Sequence, residues 1–241
     1  MTGWQRYVAL GDSLTEGVGD PRPDGTLRGW ADRLAEGMGA AGFEYFNLAR
    51  LGVRTRDVRA EQLPKAEELR PDVASVVTGM NDALAPTLDV DALRADLDDV
   101  VTRLRALGAF VFTACLPDSA PALRFVPRPV RHRVESRLRD VNTVVRAVAR
   151  DNDVLCFGAD DFPGGFGLAI SSIDGLHPNA RGHLWLAQVV AQRLSRHAGR
   201  DIAVAGECDS WTTTGLRHLR WLASGGYLRR RPFGRVARPS G

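Results

Sequence analysis

The chain has 241 residues, 44% of them hydrophobic and 25% charged, with a formal net charge of +3. That length accommodates one α/β domain with a sizeable core, and the composition is ordinary for a globular protein rather than a disordered or fibrous one. No apolar run approaches the roughly 18 residues of a membrane-spanning helix, and Met1–Arg6 carries no apolar leader, so the cytoplasm is the expected compartment.

The first strand-like run is Tyr7–Leu10, followed by Gly11-Asp12-Ser13-Leu14-Thr15-Glu16-Gly17. Trp30–Met38 reads as a helix with Trp30, Leu34 and Met38 on one face, and Phe43–Asn47 as the second strand. Arg56–Leu69 is helical, bent or divided by Pro64. Val73–Thr78 is the third strand. Val90–Leu107 is a helix with Val90, Leu93, Leu97, Val100, Val101 and Leu104 at three- and four-residue spacing. Phe110–Ala114 is the fourth strand, Val134–Ala149 a further helix, and Val154–Phe157 the fifth strand. Ala180–His197 closes the series as a helix with an apolar face built on Leu184, Ala187, Val190, Ala191 and Leu194. Alternation of strand and helix five times over argues for a parallel sheet between two helical layers. In such folds the site lies beyond the carboxyl ends of the strands.

Two segments read as loops. Leu116–Pro129 carries four prolines and is expected to rim the site, and Ala159–Leu168 leads toward a late Asp174-Gly175-Leu176-His177-Pro178-Asn179 motif. Cys115, Cys156 and Cys208 lack metal-ligand spacing and read as buried reduced thiols. His132, His183, His197 and His218 also lack ligand spacing and read as surface or helix-face residues, so no metal is expected. The positive charge is concentrated in residues 201–241, which hold seven arginines against three acidic residues. The expected division is residues 1–200 as the main domain and 201–241 as a basic, partly helical or disordered extension. In the extension Trp211, Leu216, Leu219, Trp221, Leu222, Tyr227 and Leu228 interleave with arginines. That pattern suits a helix docking back on the domain with a basic end, and secondarily a weak contact with anionic lipid. Nucleic acid is not expected, because no matching fold signal accompanies the charge.

Three residues that follow strands, and a later Asp–His pair, carry chemistry. Gly11 lets the chain turn sharply, placing Ser13 at the entrance of a helical turn, where its backbone N–H faces outward. Gly52, after the second strand, can present its N–H where a side chain would block approach. Asn81, after the third strand, offers an amide NH₂ as a further donor, while Asp82 suits a loop-holding role. Pro178 forces His177 out of helical geometry, and Asp174, three residues earlier, can accept from Nδ1–H and leave Nε2 for Ser13. A serine, a base and a base-orienting carboxylate form the set that acyl transfer requires. A phosphate-binding loop is a poor alternative for Gly11–Gly19, which lacks both the Gly-Lys-Ser/Thr and Gly-x-Gly-x-x-Gly patterns.

In order, these segments resemble the four signature blocks of the GDSL/SGNH hydrolases over roughly residues 5–197, with no departure at any block. The resemblance implies a three-layer α/β/α, flavodoxin-like fold with a five-stranded parallel sheet. It implies Ser13 as nucleophile, His177 as base and Asp174 as its partner. The oxyanion would be held by the Ser13 and Gly52 N–H groups and the Asn81 amide. It further implies a small-molecule ester substrate (lipid, acetylated sugar or small alcohol), an acyl-enzyme intermediate, and no cofactor. Acyl transfer to another acceptor uses the same residues; a non-catalytic binding protein on this fold would have no need of Asp174. Leu123, Phe125 and Val126 suggest an apolar acyl pocket on the Leu116–Pro129 segment, and Arg124, Arg128, Arg131 and Arg133 an anionic group on the substrate. The loop Gly19–Arg28 is expected to help set substrate size.

Overall fold

Strand β1 (Arg6–Gly11) opens the fold, and all of it but Arg6 is buried. The structure, a computed structural model, describes residues 4–39, 42–117, 121–162, 167–206 and 209–226. After β1 come the one-turn helix α1 (Ser13–Glu16), α2 (Trp30–Met38) and β2 (Glu44–Asn47). Next are α3 (Thr55–Asp57), a π-helical turn (Val58–Gln62), α4 (Leu63–Leu69) and β3 (Val73–Val77). Then follow α5 (Met80–Leu84), α6 (Val90–Ala106), β4 (Phe110–Ala114), α7 (Arg128–Asp151), β5 (Leu155–Phe157), α8 (Ala180–Ala198) and α9 (Trp211–Ala223). The strands pair in parallel in the order β2-β1-β3-β4-β5. Every residue of β3 is buried, the pattern of a strand covered on both faces. Helices α2 and α8 pack together on one face, and α4, α6 and α7 lie on the other. The α/β fold read from the sequence is the fold observed.

Two predicted helices differ from the observed ones by more than a residue. The helix expected at Val134 begins at Arg128, because Pro129 falls in its first turn, where a missing N–H removes no hydrogen bond. The helix expected over Arg56–Leu69 is divided, as Pro64 suggested, but by the π-turn just upstream, with Pro64 in the first turn of α4. In the extension, α9 docks on the domain, with Thr214 and His218 buried. Tyr227, Leu228 and the arginines from Arg229 to Arg238, read as a basic end, lie outside the described residues. Cys115 and Cys156 are only half-buried thiols, and Cys208 lies outside the described residues. No helix among the described residues is long and apolar enough to cross a membrane.

The chain leaves β1 toward β2 on one side and then crosses back to β3 on the other. The carboxyl ends of β1 and β3 therefore border a crevice, the position at which ligands bind in open α/β sheets.

Candidate active site

At the end of β1 the backbone is pressed against its neighbour. Gly11 has φ of 150°, and a Cβ there would lie 2.1 Å from the Val77 carbonyl oxygen. The Gln62 side chain holds Gly11 from the other side, accepting from its N–H at 2.9 Å and donating to its carbonyl at 2.9 Å. The π-turn is what aims Gln62 at this point. Asp12 then caps α1, accepting from the Leu14 N–H at 3.1 Å, and Ser13 opens the helix.

Ser13 Oγ lies 2.8 Å from His177 Nε2, although the two residues are 164 positions apart. On the opposite ring edge, His177 Nδ1 lies 2.8 Å from Asp174 Oδ2. Asp174 Oδ1 accepts from the backbone N–H groups of Leu176 and His177 at 2.9 and 3.0 Å. Burial works against the Asp174 charge, but the hydrogen bond and charge of His177 and these two N–H groups outweigh it. The carboxyl is held well below the usual carboxylate range. Asn179 fixes where the loop meets α8: it accepts from the Gly182 N–H at 2.9 Å and donates to the Ala169 and Ser171 carbonyls.

Gly52 sits at φ of 81° with open space where a Cβ would be. Glu16, buried on α1, accepts from the adjacent Leu51 N–H at 2.6 Å and so ties this turn to the Ser13 helix. Asn81 Nδ2 donates to the Val53 carbonyl at 2.9 Å, leaving one N–H of the amide for a ligand. Gly79, at φ of 114°, is needed before Asn81, since a Cβ there would lie 2.5 Å from Val141. Asp82 holds the loop, as its position suggested, accepting from the Thr55 N–H and hydroxyl at 3.0 Å each. Sequence reasoning missed Gln62 and Glu16. Neither has a local signal, because each acts on residues distant in the chain.

A cavity of about 320 Å³ opens beside Ser13 and His177 and runs between the sheet and α8. Its walls are apolar, with Phe112, Phe157, Trp185, Leu186 and Val190 among them. This corrects the expected acyl pocket: Leu123, Phe125 and Val126 do not line it. Leu123 is buried elsewhere and Phe125 is 86% exposed. Among the described residues, the Leu116–Pro129 segment contributes Leu116 and Pro117, and the Gly19–Arg28 loop contributes none. Nor do Arg124, Arg128, Arg131 or Arg133 reach the cavity. Strand ends and α8 displace these loops as walls, because the crevice deepens inward instead of outward.

Two histidines read as surface or helix-face residues lie on helix faces but are fully buried: His183 and His218. His183 Nδ1 accepts from the Trp30 N–H at 3.2 Å, and its Nε2 donates to the Val18 carbonyl at 3.0 Å. Burial pushes its imidazole down to about 3, against the pull of the Val18 carbonyl. It is a neutral bridge between α8 and the α1–α2 segment. Among the described residues, no group of three or more His, Cys, Asp or Glu side chains is placed to hold a metal ion.

Asp12 is 1% exposed, and its Oδ2 has no hydrogen-bond partner among the described residues. Burial raises its carboxyl to about 6, against the Leu14 N–H and the charge of His177. An acid whose folded value exceeds its unfolded value of about 3.9 binds its proton more tightly in the fold. Stability therefore declines as pH rises from about 4 through 6, by roughly 3 kcal/mol. Asp12→Asn keeps an oxygen for the Leu14 N–H and cannot ionise. Thermal melts from pH 4 to 8 should show a flatter profile for this variant and a gain over the native chain at pH 8. Parallel profiles would refute the assignment.

The sequence profile of the GDSL-like lipase/acylhydrolase family matches residues 9–185. No curated protein matches the chain in sequence. Similar solved structures include the lipase/acylhydrolase from Enterococcus faecalis, at TM-score 0.63 and 20% identity, covering 84% of this chain and 100% of that one. TesA is similar at TM-score 0.60 and 22% identity, covering 80% and 99%. A catalytic mutant of Axe2, an acetylxylan esterase from Geobacillus stearothermophilus, is similar at TM-score 0.62 and 18% identity, covering 80% and 94%. At these identities the structural likeness speaks for the fold.

Proposed function

The chain belongs to the GDSL-like lipase/acylhydrolase family and is an ester hydrolase, and on that footing we propose that it cleaves carboxylic esters through an acyl-enzyme on Ser13. The observation that carries the reading is the unbroken series Asp174–His177–Ser13, with both hydrogen bonds at 2.8 Å. Asp174 fixes the tautomer with hydrogen on Nδ1, so Nε2 is free to accept the hydroxyl proton. Ser13 Oγ attacks the carbonyl carbon as that proton moves to His177. The oxyanion accepts from the Ser13 and Gly52 N–H groups and from the second N–H of Asn81. Each such donor is worth about 10²–10³ in turnover. The C–O bond to the alcohol then breaks, with the proton passing from Nε2 to the departing oxygen. Water repeats the sequence on the acyl-enzyme and releases the acid. A fluorophosphonate probe tests the reading directly: the native chain should be labelled and Ser13→Ala should not, and labelling that survives the substitution would remove Ser13 from its role.

The cavity favours an aliphatic acyl group over acetate. Each buried methylene is worth about 0.8 kcal/mol, close to a fourfold gain in kcat/KM. In a series of p-nitrophenyl esters from acetate to palmitate, kcat/KM should climb by about that factor per carbon until the cavity is full. Val190→Phe, which narrows the inner wall, should move the optimum to shorter chains. A flat series, or an optimum unmoved by this substitution, would place the acyl group elsewhere. Half-buried thiols at Cys115 and Cys156 agree with a cytoplasmic setting. Leu216 and Leu219, each about half exposed on α9, are the described residues that support weak contact with anionic lipid.

A further inference from the structure

Helix α9 lies beyond the family match, which ends at residue 185, yet it closes over the loop that carries Asp174 and His177. It presents Thr214, Gly215 and His218, which share one face. Thr214 and His218 are buried. Gly215 permits the close approach, since a Cβ there would lie 3.3 Å from Ile173 Cγ2. His218 Nδ1 is hydrogen-bonded to Ser172 Oγ. Ser172 is in turn tied to both ends of the turn beyond it: its N–H donates to the His177 carbonyl at 2.8 Å, and its carbonyl accepts from the Gly175 N–H at 3.0 Å. The outer face of α9 is different in kind, with Leu216 and Leu219 half exposed and Arg217 paired to Asp209.

We propose that α9 clamps the Asp174–His177 loop and that His218 is a positioning residue acting through Ser172. The proposal rests on the Ser13 acyl-enzyme reading. The loop is held by Asn179 at the start of α8, by the Ala122 N–H donating to the Gly175 carbonyl at 3.0 Å, and on the α9 side by the His218–Ser172 contact. Proton transfer at Ser13 tolerates little error in the imidazole, and a displacement of about 1 Å can lower turnover 10²-fold. Burial pushes the His218 imidazole below the ordinary histidine value; the Asp174 charge opposes this and the His177 charge adds to it. The ring is thus a neutral partner for Ser172. No described side chain of α9 lines the apolar cavity, so loss of the His218 contact should affect orientation of the base and not acyl binding.

The test compares His218→Ala, His218→Asn, Ser172→Ala and the His218→Ala/Ser172→Ala pair in the full chain, on a soluble ester well below each variant's Tm. His218→Ala and Ser172→Ala should each lower kcat about 10- to 100-fold with KM within about twofold. The pair should be no worse than the poorer single variant, since both remove one contact. Asn places a polar atom where Nδ1 stood and should recover most of the loss. Fluorophosphonate labelling of Ser13 should slow in parallel. Wild-type kcat and labelling in the single variants, or losses that multiply in the pair, would overturn the clamp while leaving the Ser13 reading intact. If His218→Ala does not fold, Ser172→Ala opens little space and decides alone: wild-type kcat there overturns the proposal. A native chain that the probe does not label would remove the acyl-enzyme reading itself.

Discussion

Ser13→Ala is expected to lower kcat on a p-nitrophenyl ester by 10⁴- to 10⁶-fold, on the order seen when a triad nucleophile is removed. The substitution deletes one oxygen from a side chain that is already buried, and among the described residues that hydroxyl is hydrogen-bonded to His177 Nε2. The N-cap of α1 is Asp12, so the helix keeps its start. Thermal stability should accordingly stay close to that of the native chain, which separates loss of chemistry from loss of fold. The oxyanion donors remain, so activity should fall to a floor above the uncatalysed rate. Because nucleophile and base act as one unit, adding His177→Ala to Ser13→Ala should cost almost nothing further. A single-site loss under tenfold, or multiplicative losses in the pair, would show that some other group attacks the ester.

The five strands were legible because parallel strands buried on both faces are continuous apolar runs, and Val73–Val77 could hardly be read otherwise. The helices were legible where they bury one stripe, as α2, α6 and α8 do. Helix ends were less so. Pro127 and Pro129 suggested a loop, yet a proline in the first turn is compatible with a helix, and only tertiary contact decides between the two. The π-turn at Val58–Gln62 has no sequence pattern of its own. It exists because Gln62 must reach Gly11 across the β1–β3 switch.

The site was legible in its chemistry and opaque in its supports. Ser13, Gly52 and Asn81 follow β1, β2 and β3, and a parallel sheet gathers such residues at one edge whatever lies between them. Asp174 and His177 were recognisable because three residues of spacing let one carboxylate serve both the ring and the local backbone. Glu16 and Gln62 were not, since each holds a backbone group more than thirty positions away. The acyl pocket was misplaced for a related reason. Apolar residues on a proline-rich loop look available, whereas Phe112, Phe157 and Val190 look like ordinary core until the packing between sheet and α8 proves incomplete.

Asp174→Asn is expected to lower kcat about 10⁴-fold while the loop keeps its shape. Asn retains an oxygen that can accept from the Leu176 and His177 N–H groups, as Oδ1 does now. Its amide nitrogen would then face His177 Nδ1, where it can only donate. The ring must respond with the opposite tautomer, hydrogen on Nε2, and that nitrogen can no longer take the Ser13 proton. Stability carries a second signature. The Asp174 carboxyl is held below its ordinary range by His177 and the two N–H groups, against the effect of burial. Its contribution is present above the unfolded value of about 3.9 and is lost as pH falls through the folded one. The Asn variant lacks an ionisable group there, so its acid-side stability should fall less steeply. Activity within tenfold of native in Asp174→Asn would mean that His177 is oriented by its surroundings alone, and the carboxylate would then be a loop residue instead of part of the relay.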